Sequence, residues 1–221
     1  MTLRKNGMKI RVYLLSLYCA LYSGLSFSNH LSGQYAISAL YGINYLSPYT
    51  FESKQVYPGK KGESSFKLGY FSELALSRNI SQRWSLTLLG EYQSNASKSS
   101  SIAGNTLKKY GHWSSYSALL SSSFSPWPES VFSPFVSAGA GGAIVDVEET
   151  AYDTKFFIND HDLDWIWQIE VGAQTKINSY LSLIAEIQHF EIVLRHDQTN
   201  SEQDRQFKNT AISFGFHVNL S

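Results

Sequence analysis

The sequence of 221 residues has one cysteine, five prolines and no excess of charge of either sign, with 18 Lys and Arg against 18 Asp and Glu. The missing positive balance argues against nucleic-acid binding, because phosphate backbones are bound mainly by clustered Lys and Arg. Beyond residue 28 there is no apolar run of the roughly 18 residues that a transmembrane helix requires, and the mean hydropathy is −0.20. The sequence therefore indicates neither a nucleic-acid-binding protein nor a helical membrane protein.

The first 28 residues have the pattern of a secretory signal peptide. A basic stretch precedes an apolar stretch at 12–20, and Ser26 and Ser28 supply the small residues of a cleavage site. The basic residues are Arg4, Lys5, Lys9 and Arg11. We therefore predict a cleaved signal peptide at 1–28 and one exported domain at 29–221. An uncleaved N-terminal anchor is the alternative.

Cleavage would change both the net charge and the cysteine content of the protein. Four of the 18 basic residues and the single cysteine, Cys19, lie in the predicted signal peptide, and none of the acidic residues does. The exported domain is then mildly acidic and free of thiols. This excludes disulfides, thiolate metal sites and cysteine nucleophiles from it.

The exported domain is dominated by alternation of apolar and polar residues, which is the signature of β-strands with two different faces. In the clearest run Trp165, Trp167 and Ile169 share one face, and Gln168 and Glu170 share the other. The same alternation recurs about eight times. It predicts strands at 33–46, 65–78, 83–94, 113–125, 132–147, 164–177, 180–194 and 208–220.

The predicted connections alternate in length. Those at 79–82, 125–130 and 178–179 are short and rich in turn-forming residues. Those at 47–64, 95–112, 148–163 and 195–207 are long and polar. Short periplasmic turns and long extracellular loops are typical of outer-membrane barrels. The pattern thus favours an all-β, eight-stranded antiparallel up-and-down transmembrane β-barrel.

Alternation alone does not distinguish a lipid-embedded barrel from a soluble one, so the character of each face matters. Charged residues on the polar face favour an interior network of hydrogen bonds and ion pairs in a lipid-embedded barrel. Its predicted members are Lys67, Glu73, Glu91, Glu170, Lys176, Glu186 and His217. Aromatic residues near strand ends suit girdles at the membrane interfaces. The predicted girdle residues are Tyr35, Tyr45, Trp84, Tyr92, Trp113, Trp127, Trp165 and Tyr180.

Two stretches carry a family resemblance. The sequences PFVSAGAG at 134–141 and LSLIAEIQHF at 181–190 resemble the fifth and seventh strands of small outer-membrane β-barrels of the OmpA and OmpX type, which are often described as porin-like. The resemblance implies a place in the outer membrane of a Gram-negative-type cell envelope. It also implies insertion by the barrel-assembly machinery, contact with outer-membrane lipids and lipopolysaccharide, and no cofactor.

Three functions fit such a barrel. Because eight strands enclose a space that side chains can fill, a closed barrel with a structural or surface-interaction role is expected, with any extracellular ligand bound by the loops. A small porin or gated channel is an alternative. The other is a lipid A acylhydrolase, since related deacylases carry a His-x-Ser pair on the seventh strand. Here His189 is followed by Phe190 and Glu191, so the serine is missing and we expect no enzyme.

Two weaker patterns remain. Asp160, Asp162 and Asp164 alternate in the third long loop and could offer carboxylates to Ca²⁺, but the pattern lacks the rest of a known calcium loop, so a solvated acidic loop is expected. Six lysines of the first two long loops could contact lipopolysaccharide phosphates. They are Lys54, Lys60, Lys61, Lys98, Lys108 and Lys109.

Overall fold

The structure is a computed structural model, and it describes residues 34–53, 60–102, 105–107, 110–151, 154–193 and 206–220. The described segments contain eight long strands and three short ones. The long strands are β1 (Tyr35–Leu46), β4 (Gly69–Asn79), β5 (Trp84–Ile102), β7 (Tyr110–Phe124), β8 (Phe132–Ala151), β9 (Thr154–Lys176), β10 (Leu181–Val193) and β11 (Gln206–Leu220). The short strands are β2 (Tyr49–Ser53), β3 (Lys60–Phe66) and β6 (Asn105–Leu107). These segments include no helix long and apolar enough to span a membrane.

The long strands close into a barrel. Each pairs antiparallel with the next one along the chain, and β1 pairs with β11 from Tyr35 opposite Leu220 to Leu46 opposite Asn209. Closure leaves no unpaired edge among the eight long strands, and an unpaired edge is not tolerated in lipid. The predicted eight-stranded antiparallel barrel is confirmed.

Tight turns join the long strands at one end, which we call the turn end. Backbone amides of Arg83 and Trp84 donate to the hydroxyl of Ser81 at 3.3 and 3.1 Å. Those of Tyr180 and Leu181 both donate to the Asn178 side chain at 2.8 Å. In the turns these backbone amides have no cross-strand carbonyl to bond, and the two side chains accept their hydrogen bonds instead.

At the other end, the loop end, the strands run further than the sequence predicts. The stretches predicted as loops at 47–64, 95–112 and 148–163 hold β2, β3, β6 and the extended ends of β5, β7, β8 and β9. The loop prediction was wrong for these parts, because backbone ladder bonds do not require one apolar face and polar residues can therefore continue a strand. The fourth predicted loop is outside the described residues at 195–205.

The two faces of the barrel wall follow the alternation. In β1 the side chains of Ala36, Ser38 and Leu40 are buried, whereas Ile37 and Tyr41 are exposed. The same phase around the wall leaves an apolar outer surface. Its exposed members include Ile43, Leu74, Leu120, Val136, Ile169, Val171, Leu183, Ile187, Ile212, Phe214 and Phe216.

At Gly69, the first residue of β4, there is no room for a side chain. A Cβ atom at Gly69 would lie 2.4 Å from side-chain atoms of both Asn44 and Asn95. The missing side chain leaves room for a bond from Asn44 Nδ2 to Asn95 Oδ1, at 3.0 Å, which links β1 to β5 over the intervening β4.

Candidate functional site

The barrel interior is the first candidate site, and four glutamates lie at its centre. Glu73, Glu91, Glu170 and Glu186 are each about 5% exposed. Strands β4 and β5 supply Glu73 and Glu91, which are direct cross-strand partners. Strands β9 and β10 supply the other two from across the barrel. The other three carboxylates are close enough to act on Glu73 electrostatically.

Uncharged donors hold these carboxylates. Ser117 donates to Glu91 at 2.9 Å and Ser213 donates to Glu186 at 3.0 Å. Glu170 accepts from Ser137 and from the side-chain amide of Gln168.

The predicted basic partners lie elsewhere. Lys67 is exposed in the connection before β4, so its predicted interior place was wrong: the strand begins at Gly69. Lys176 is half-buried near the turn end, where its Nζ donates to the carbonyl of Pro128 at 3.0 Å. His217 accepts or donates through Nδ1 to Ser38 at 2.8 Å. Among the described residues no ion pair reaches the four glutamates, so the predicted ion pairing was wrong.

Large apolar side chains, together with buried amides such as Asn44, Gln93 and Asn209, occupy the loop-end half of the interior. Trp113, Phe190 and Phe71 are completely buried, and the Trp113 ring packs on Phe207 with 5.8 Å between centroids. We call these four residues, with Leu46, Phe66, Val145, Ile166 and Ile192, the apolar plug. The interior is therefore polar toward the turn end and mixed apolar and polar in the loop-end half.

The plug contains one residue that was predicted for the aromatic girdle. Trp113 is 0% exposed, because it shares the inward phase of Ser115 and Ser117, and its girdle assignment was wrong. The other predicted girdle residues are at least partly exposed. Tyr35, Trp84, Trp127 and Tyr180 lie near the turn end, and Tyr45, Tyr92 and Trp165 lie in the loop-end half.

The second candidate site is on the outer wall, around His189. Its Nδ1 is 3.1 Å from the hydroxyl of Thr210 on the neighbouring strand. Its Nε2 is 3.9 Å from a carboxylate oxygen of Glu191, which also pairs with Lys208 at 3.0 Å. The Trp167 ring meets the imidazole edge to face at 6.2 Å. A hydroxyl thus lies within hydrogen-bond distance of His189, but on the neighbouring strand and not at position 191.

The acidic stretch lies in a strand. Residues 160–164 belong to β9, with an irregular register opposite Ala143 and Val145. Asp164 is 1% exposed, so the expectation of a solvated loop was wrong for it. The side chains of Asp160 and Asp162 are outside the described ones. No group of three or more potential metal-ligating side chains occurs in the part of the chain that the structure describes.

Comparison with known proteins adds fold information. No family model and no curated protein matches the chain. The outer membrane protein OprG of Pseudomonas aeruginosa is similar in structure, with a TM-score of 0.57, 9% identity, and coverage of 86% of this chain and 97% of that one. Neisserial surface protein A gives a TM-score of 0.50, 11% identity, and coverage of 85% and 99%. With its closed circuit of eight strands, the chain has the fold of the small eight-stranded outer-membrane β-barrels.

Proposed function

We propose that the protein is an integral outer-membrane barrel with a closed interior and a structural or surface-interaction role. The observation that carries the proposal is the apolar plug, whose completely buried rings, such as Trp113, Phe190 and Phe71, pack with buried amides in the loop-end half of the interior. A water-filled pore needs a continuous polar path, and the plug interrupts that path.

The outer wall supports a place in lipid. Contiguous side chains such as Tyr41, Phe214 and Leu74 are about 64% exposed. Soluble monomers rarely expose apolar patches larger than a few hundred Å². A lipid bilayer removes this cost, and the aromatic rings near both ends of the strands suit its two interfaces. The predicted signal peptide supplies the route of export.

The loop end supports the surface-interaction role. Strands β2, β3 and β6 add to the extended end of β5 and enlarge the sheet beyond the closed barrel. In the proposed orientation this sheet faces the exterior and can bind an extracellular ligand. Lys98 on β5 is exposed, and in this orientation its ammonium would contact lipopolysaccharide phosphates. Insertion by the barrel-assembly machinery is part of the same proposal.

The closed interior predicts an electrical result. The folded protein, reconstituted in planar bilayers, should show no discrete single-channel openings. A general porin purified in the same detergent serves as the positive control. Heat-dependent migration on a detergent gel confirms that the sample is folded. Discrete openings from folded protein would contradict the closed interior and favour the small-porin alternative.

A second candidate function, lipid-ester hydrolysis in the outer leaflet, is favoured by the 3.1 Å contact between His189 and Thr210. In such a reaction the Thr210 oxygen would attack the ester carbonyl carbon while its proton passes to His189 Nδ1. The alcohol would leave with that proton, and water would then hydrolyse the acyl-threonine. Glu191 is in range to hold the imidazolium, although Lys208 competes for it.

Matched variants at Thr210 decide between the two functions. Under the hydrolase hypothesis the folded protein releases fatty acid from lipid A in mixed micelles, and Thr210→Ser retains activity. Thr210→Val keeps the side-chain shape without the hydroxyl and should lower the rate at least about 100-fold, as should His189→Ala. The closed structural barrel predicts no release from any of the four proteins.

A further inference from the structure

A cavity occupies the turn-end half of the barrel interior. Its volume is about 340 Å³, which is within the range of small-molecule sites. It is bounded toward the centre of the barrel by Glu73, Glu170 and Glu186. At the turn end its lining includes the exposed residues Gln82 and Arg83. The cavity therefore has three carboxylates at its inner end and exposed polar residues at the turn end.

The carboxylates lack a matching positive charge. Burying a carboxylate costs several kcal/mol unless an opposite charge or a set of hydrogen bonds offsets it. The basic groups that line the cavity are Arg83, Lys176 and His217. Lys176 donates to a backbone carbonyl and His217 bonds Ser38, and none of the three forms an ion pair with a glutamate in the described part of the chain.

One of the lining carboxylates has an unpartnered oxygen, and further unpartnered amide atoms lie beside the carboxylates outside the cavity lining. Glu73 lines the cavity and is about 95% buried, and its Oε2 atom has no hydrogen-bond partner among the described residues. The amide of Gln168, which donates to Glu170, leaves its Oε1 unpartnered, and both amide atoms of Gln188, opposite Glu170, are unpartnered as well. Native interiors rarely leave such groups without a partner.

The geometry points to an organic cation. No set of three or more metal-ligating side chains is close enough to hold an ion in the described residues, and divalent cations need oxygens at 2.0–2.6 Å. The carboxylates instead come from opposite walls of the barrel, and apolar Leu40, Ala75 and Ile184 also line the cavity. An alkyl chain carrying several ammonium groups matches both features, since its methylenes contact the apolar side chains and its charges reach separate carboxylates.

We propose that the turn-end cavity binds an aliphatic polyamine, whose ammonium groups pair with Glu73, Glu170 and Glu186. This inference goes beyond the proposed function. Because binding is measured on detergent-solubilised protein, its failure would leave the membrane proposal untouched.

Calorimetric titration of the folded full chain in detergent with spermidine tests the site. Saturable binding is expected for the wild type. The double variant Glu73→Gln/Glu186→Gln should bind at least tenfold more weakly, since it removes two charge-assisted contacts while keeping side-chain shape. Glu129→Gln, which removes an exposed carboxylate at the same end, should change the affinity less than twofold.

A second variant tests the cavity without altering charge. Ala75→Leu inserts a larger side chain into the lining and should also weaken spermidine binding at least tenfold. Gel migration before and after boiling establishes that each variant is folded. The proposal is overturned if folded wild type shows no saturable binding, if the double glutamine variant binds with wild-type affinity, or if Mg²⁺ alone binds more tightly than spermidine.

Discussion

Phe214→Arg should lower the free energy of unfolding in lipid vesicles by about 2–4 kcal/mol, the cost of an arginine at the centre of a bilayer on a barrel's outer wall. Phe214 is 64% exposed and lies midway along β11, opposite Tyr41 on one side and Ala185 on the other. Its surroundings are therefore lipid if the barrel spans the membrane. Reversible unfolding by denaturant in vesicles measures the change.

Leu220→Arg is the matched control. Leu220 is on the same outward face of β11 but at its turn end, opposite Tyr35. There the arginine can reach the interface, and the cost should fall to about 0–1 kcal/mol. Equal effects at the two positions would contradict a lipid-embedded wall, because water would surround both residues of a soluble barrel alike.

The alternation of side chains was sufficient to predict the wall. It placed the four glutamates on one face and Ile169, Val171 and Phe214 on the other, because a strand in a closed barrel has only an inside and an outside. It could not show which charges meet across the barrel. Glu73 faces Glu170 and Glu186 from the opposite wall, while the basic residues Lys67 and Lys176 lie away from them.

The outer site was missed for a different reason. His189 and Thr210 are neighbours only through the register of β10 against β11. The connection between these strands includes 194–205, and its sequence does not determine the register of one strand against the other. A search for a nearby serine in the sequence therefore could not find the threonine hydroxyl.

The apolar plug was not predicted, because inward-facing side chains were expected to be polar. Phe190 and Ile192 continue the inward phase of Glu186 and Gln188, so their direction could be read from the alternation. The expectation of a polar interior assigned apolar residues to the lipid instead. Beyond the carboxylate layer apolar side chains share the interior with buried amides such as Asn44 and Gln93, because side chains that only have to fill space can be apolar.

The stability of a Trp113 variant tests whether this residue lies in the barrel interior or in an interfacial girdle. Trp113→Ala should lower the free energy of unfolding by about 3–5 kcal/mol, since it removes a completely buried ring that packs on Phe207 and leaves a cavity in the plug. The comparison is Trp127→Ala at the turn end, where the ring is 65% exposed and the loss should be below about 1 kcal/mol. Denaturant unfolding in one vesicle preparation gives both values.

The two tryptophans would behave alike if both belonged to interfacial girdles, because each would then lose a similar contact with headgroups. A large difference instead assigns Trp113 to the interior.

A double variant tests the closed state. If the plug blocks the barrel, Trp113→Ala combined with Phe207→Ala should raise ion conductance above the wild-type baseline. Low conductance in a folded double variant would mean that the polar layer of Gln93, Gln168 and Gln188 closes the barrel by itself, since these side chains are at most 1% exposed.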